Sequence, residues 1–173
     1  MASYYYLISS LPTLSSDGDM PMTYEEFLTY CQGNVSEETY DRLENLTLNA
    51  SEGPLLKEWA ATYGTLTKEL NSQRSTALGK QYPQGFDKDG MNAQVVSAAL
   101  AAKNPLEAEQ ILLDYEFDLL DTLVGLHMFD DYVLYGYALK LKLLERKSCF
   151  VKEKGQAEFK HLFDQAEQRV YSL

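Results

Sequence analysis

The chain is short of cysteine, histidine and positive charge, and each shortage excludes something. Its 173 residues include two cysteines and two histidines. Cys31 and Cys149 supply neither a disulfide framework nor a zinc pattern. They fit a reducing cytoplasm in which both act as small apolar core residues. Lys and Arg number 15 against 26 Asp and Glu, for a formal net charge of −11. That balance disfavours nucleic-acid binding, which needs clustered cations to replace counterions on phosphates. It equally disfavours docking on an anionic membrane by charge alone. No run reaches the roughly 20 apolar residues of a membrane-spanning helix. The opening "MASYYYLISSLPTL" has no basic residue before its apolar part, which is confined to Tyr4–Ile8. It therefore predicts neither a secretory signal nor a membrane span, and the expectation is a soluble protein. No Gly-rich stretch ends in GKS or GKT, and nothing resembles a nucleophile elbow.

What is present is helical punctuation. Thr23 and Glu26 form a capping box ahead of Tyr24, Phe27, Leu28 and Cys31, and Gly33 closes that helix. Ser36 caps a second, with Glu37 and Glu38 at its positive end. Pro54 opens a third, whose stripe is Leu55, Leu56, Trp59, Tyr63, Leu66 and Leu70, with Gly64 as a weak point. "YPQGFDKDG" (82–90) is the clearest break and the one place for a sub-domain boundary; we read it as a loop within a single helical domain, 1–173. "MNAQVVSAALAAK" predicts a small-residue helix suited to close packing. Asn104, Pro105 and Glu107 start the next, which weakens at Gly125. A helix from about Phe129 to Lys147 carries apolar residues on two faces, so it should be buried over much of its circumference. A last helix uses Phe159, Leu162, Phe163, Ala166 and Val170. Residues 4–8 permit a strand, but one without a partner is unstable, and a helix ending before Pro12 is favoured. The expected fold is all-α, an irregular bundle of about seven or eight helices.

Chemistry is sparse. Asp114, Asp118 and Asp121 share a helix face, as carboxylates do in helical di-iron sites, but those sites need two Glu-x-x-His motifs and the chain has none. The three read as a solvated face. His127 and Asp130 could give two metal ligands where three or four are needed, so His127 is expected to cap or terminate a helix near Gly125. His161 reads as a surface helix residue. No catalytic, cofactor or metal site is expected.

Charge is unevenly placed. Residues 1–52 hold nine acids and only Arg42; residues 104–135 hold eight acids and no Lys or Arg; residues 136–160 hold seven cations against three acids. Either the basic segment meets an acidic partner, or it neutralises the acidic helix before it.

"YYYLISSLPTL", "TYEEFLTYC", "NPLEAEQILLDYEFDLLDTLVG" and "YGYALKLKLLERK" together resemble a bacterial family encoded beside V/A-type ATP synthase genes. That family is distantly similar to the C (or d) central-stalk subunit of V-type ATPases, whose later helix matches here at Tyr137, Lys140, Leu141, Leu144, Glu145 and Arg146. The C/d subunit is longer and built of repeated helical modules, so this chain corresponds to part of it. The resemblance implies a fold like one of its modules. It also implies a non-catalytic subunit or accessory factor of a rotary ATPase, joining central stalk and proteolipid ring through protein contacts. It would be cytoplasmic, held at the periphery of the inner membrane by the complex, without inserting into the bilayer. Lys140, Lys142, Arg146 and Lys147 are then the expected partner contacts. The alternative is a free-standing cytosolic helical adaptor unrelated to ATPases.

Overall fold

Polar caps decide where the helices begin. The computed structural model describes residues 4–82, 85–150 and 160–165, and all regular structure in them is helical. Helix α1 (Tyr5–Ser10) stops at Leu11, whose backbone is extended, as the residue before a proline must be. Helix α2 (Tyr24–Cys31) has the capping box: the Glu26 amide donates to Thr23 Oγ1 at 3.2 Å and the Thr23 amide to Glu26 Oε2 at 2.7 Å. Such a cap stabilises by about 1 kcal/mol. Helix α3 (Glu37–Glu44) is capped by Ser36. Helix α6 (Pro105–Val124) starts with the Glu107 amide donating to Asn104 Oδ1 at 2.9 Å and ends at Gly125.

Three starts differ from expectation. Helix α4 (Leu56–Ala77) begins after Pro54, because Leu55 sits at φ 65 with its side chain in the core. It runs unbroken through Gly64. Helix α5 (Gly90–Leu100) starts one residue early, capped by Asp89. Helix α7 (Asp131–Ser148) starts after Phe129, whose φ of 56 is not helical, and Asp130 caps it through the Tyr132 and Val133 amides. Residues 160–165 are helical and exposed; the rest of the expected last helix, with Phe159, Ala166 and Val170, lies outside the described residues.

The helices share two apolar clusters. The larger gathers α1, α2, α3, the start of α4, the second half of α6 and all of α7 around Trp59, Phe27, Tyr135 and twelve leucines. Each large apolar side chain removed from water there contributes about 1.5–3 kcal/mol. Helix α7 is buried on both faces, with Leu134, Leu141 and Leu144 on one and Tyr135, Leu139 and Leu143 on the other. The smaller cluster joins Leu66 of α4, Val96 and Ala99 of α5 and Leu112 of α6. The small residues of α5 let it lie against both α4 and α6. Thus the 78–89 connection, of which 83 and 84 lie outside the described residues, leads straight back onto α4.

Helices α6 and α7 form an antiparallel hairpin. Gly136 faces Val124, Lys140 pairs with Asp121, and Arg146 pairs with Glu116. Partners step down one helix as they step up the other. This register brings the acidic helix and the basic helix side by side.

Candidate interaction surface

The four cations expected to contact a partner are engaged within the chain. Lys140 Nζ lies 2.6 Å from Asp121 Oδ1 and 5.1 Å from the Phe117 ring centre. Lys142 Nζ reaches Glu145 Oε2 at 3.1 Å and stands 3.6 Å over the Tyr24 ring. Arg146 grips Glu116 with Nη1 and Nη2 at 3.0 and 2.5 Å, and donates from Nε to Glu109 at 2.6 Å and from Nη1 to the Tyr63 hydroxyl oxygen at 3.3 Å. Lys147 Nζ donates to the carbonyls of Ser16 at 2.7 Å and Gly18 at 3.4 Å, which fastens the α1–α2 connection to the end of α7. Of these four, Lys140 and Arg146 pair with acids of α6, Lys142 pairs within its own helix, and Lys147 meets backbone carbonyls.

Glu116 is the most deeply placed of these charges, 3% exposed. Burial pushes the Glu116 carboxyl above the usual carboxylate range, with the Arg146 guanidinium pulling it back. Burial alone would lower the Arg146 value, but its hydrogen bonds and attraction to Glu116, then Glu109, outweigh that and raise it. A bidentate guanidinium–carboxylate pair of this kind stays ionised at neutral pH. The signal for Glu116 was available in the sequence: it occupies a stripe position between Leu112, Leu113, Phe117 and Leu120, where an acid requires a partner. Glu69 is a second such acid, between Leu66 and Leu70. Its Oε1 accepts from Gln73 at 2.7 Å, and Gln73 also donates to the Ala93 carbonyl at 3.1 Å. With the Tyr115 hydroxyl donating to Asn92 Oδ1 at 2.8 Å, these bonds tie α4, α5 and α6.

The remaining candidates are structural. Asp114 and Asp118 are exposed, and Asp121 is held by Lys140. Among the described residues no group of three or more His, Cys, Asp or Glu could hold a metal ion. His127 follows the end of α6, bonds Asp130 Oδ2 through Nδ1 at 2.6 Å and stacks on Tyr132 at 4.0 Å, bracing the α6–α7 turn. His161 is exposed, as expected of a surface helix residue. Cys31 is fully buried and burial pushes its thiol up to about 12. Cys149, expected in the core, is instead exposed, because it lies just past the last turn of α7. Two shallow clefts of about 380 Å³ lie at opposite sets of residues, one by Arg74, Lys103 and Phe150, the other by Arg42, Asn49 and Leu56.

Several large apolar side chains are left open among the described residues. The α6–α7 turn is built by two left-handed residues, Gly125 at φ 55 and Phe129 at φ 56. For a bulky residue such as Phe129 this conformation costs about 1–3 kcal/mol. The cost is offset by anchorage: the Tyr4 amide donates to the Phe129 carbonyl at 2.7 Å, and the Tyr5 ring packs on the Phe129 ring at 4.7 Å. So held, the turn leaves Leu126 100% and Met128 71% exposed. Beside it, α1 turns Tyr4 and Leu7 inward, which leaves Tyr6 87% and Tyr5 53% exposed. The Tyr5 ring meets both Tyr6 and Phe129, so the turn and α1 present one continuous surface.

No protein-family model, curated protein or solved structure matches this chain. No described helix is long and apolar enough to cross a membrane.

Proposed function

We propose that this chain is a non-catalytic subunit or accessory factor of a V/A-type rotary ATPase, acting by protein–protein contact between central stalk and membrane ring. The observation that carries the protein-contact role is the open surface of Tyr5, Tyr6, Leu126 and Met128, held outward by a strained turn while Lys140, Lys142, Arg146 and Lys147 are engaged within the chain. Apolar side chains kept in water at a conformational cost mark a surface with another use. The choice of ATPase rests on the sequence resemblance. Two of the stretches that carry it, "YYYLISSLPTL" and "NPLEAEQILLDYEFDLLDTLVG", supply α1 and the helix that leads into the turn. Helix α7, buried on both faces and cross-linked to α6 by Arg146, gives the stiffness that passing force between partners needs. On this reading the protein works in the cytoplasm, at the inner face of the membrane, through its complex.

The test is affinity purification of the tagged chain from its native host at near-native expression, with bound proteins identified by mass spectrometry. Rotor or ring subunits recovered in near-equal amount support the reading. Their absence from every preparation sinks it, and recovery of some other cytosolic protein would favour a free-standing adaptor.

A further inference from the structure

We infer that the surface formed by α1 and the α6–α7 turn docks a basic protein segment, one that inserts an apolar side chain among Tyr6, Leu126 and Met128 and sets Lys or Arg against the acids around them. This rests on the protein-contact role proposed above but not on the identity of the ATPase. The anchors are the right kind: exposed Tyr and Met beside an aliphatic residue are what interface centres use. Among the described residues, the charges of the rim, on the elements that meet Tyr4 and the turn, are mostly acidic. The Tyr4 hydroxyl donates to Asp131 Oδ1 at 2.9 Å and lies near Thr39 of α3, whose own hydroxyl is bonded to Ser36 at 2.9 Å. Helix α3, whose Leu43 shares the larger apolar cluster with Tyr4 and Leu7, carries exposed Glu37, Glu38, Asp41 and Glu44. Arg42 is the only cation in residues 1–52, and Glu38 already takes it at 2.6 Å.

That rim also decides between occupants. A second copy of the chain, meeting this surface with its own, would set acid against acid across the contact. An anionic lipid surface would be repelled in the same way. A segment of positive charge gains from both the apolar centre and the rim, and its approach is accelerated by the acidic field.

The experiment places a photo-reactive phenylalanine analogue at position 6, at position 126 or, as control, at position 78, in the full chain expressed in its native host. Leu78 is a good control because it is 74% exposed at the far end of α4. After illumination the attached peptides are sequenced. The expected result is one partner captured from positions 6 and 126 but not 78, through a segment with Lys or Arg beside an apolar residue. Neutralising the rim by Glu37→Gln with Asp41→Asn, in a chain shown by circular dichroism to remain folded, should lower the yield about tenfold, the counterpart of losing two steering charges. Adducts to the chain itself, to segments without net positive charge, equally from position 78, or none at all would overturn the inference. A basic partner that is no ATPase subunit would leave the docking inference standing and remove the ATPase reading. Rotor subunits that co-purify yet attach nowhere near positions 6 and 126 would do the reverse.

Discussion

Replacing Arg146 by Met tests whether the basic helix is there to hold the fold together. The substitution keeps the apolar stem and removes the guanidinium, leaving Glu116, 3% exposed, with no counter-charge. Breaking a buried pair from one side costs about 3–5 kcal/mol. For a chain of this size each kcal/mol lowers Tm by about 2–4 °C, so a loss on the order of 10 °C is expected in thermal melting followed by circular dichroism. The pH dependence identifies the cause. Burial already raises the Glu116 carboxyl above its ordinary 4.5, and without Arg146 nothing opposes it. A carboxyl whose folded value lies above its unfolded value is bound to its proton more tightly in the folded state. Its contribution is therefore full below the unfolded value and is lost as pH rises through the folded one. The variant should match the parent most closely at about pH 4 and fall furthest behind at about pH 7. Adding Glu116→Leu removes the stranded charge and should restore most of the loss, since a packed apolar pair often equals a buried ion pair. A deficit equal at both pH values, or a double variant no better than the single one, would refute the account. An unchanged Tm would return Arg146 to the surface residues available to a partner.

Two other expectations concern packing and thiols. Gly136→Ala places a Cβ 2.6 Å from Val124 Cγ2 and 3.7 Å from Leu55 Cδ2. Overpacking of about 1–3 kcal/mol should outweigh the 0.5–1 kcal/mol that Ala gains over Gly within a helix, so Tm falls, and Val124→Ala in the same chain should recover it. A thiol reagent at mildly alkaline pH should modify Cys149 at once and Cys31 only after denaturation, because Cys31 is buried with its thiol pushed up to about 12. Equal rates at the two cysteines would contradict that burial.

Local chemistry made much of the fold readable. Thr23 with Glu26, Ser36, and Asn104 with Pro105 and Glu107 cap the helices they were expected to cap, because a cap is a contract among four adjacent residues. The two-faced burial of α7 was readable because it is periodic. What the sequence hid depends on partners far along the chain. Arg146 finds Glu116 thirty residues back only through the antiparallel register of α6 and α7. Phe129 looked like the first residue of a helix; its left-handed backbone is imposed by Tyr4 and Tyr5 from the other end of the chain. The open surface follows from geometry that three successive tyrosines conceal. Neighbouring positions on a helix point about 100° apart, so a helix of 6 residues that buries Leu7, with Tyr4 buried just before it, turns Tyr5 and Tyr6 away.

Helices α4 and α6 run through both apolar clusters, and that gives the molecule a fixed length. With 22 and 20 residues, at 1.5 Å per residue, they are struts of about 33 and 30 Å. On the docking inferred above, a partner seated at the α6–α7 turn would be kept a set distance from the α5 end. A spacer of this kind is graded by its span. Removing two turns from the middle of both struts, with α1 and the α6–α7 turn retained, would shorten that span by about 11 Å.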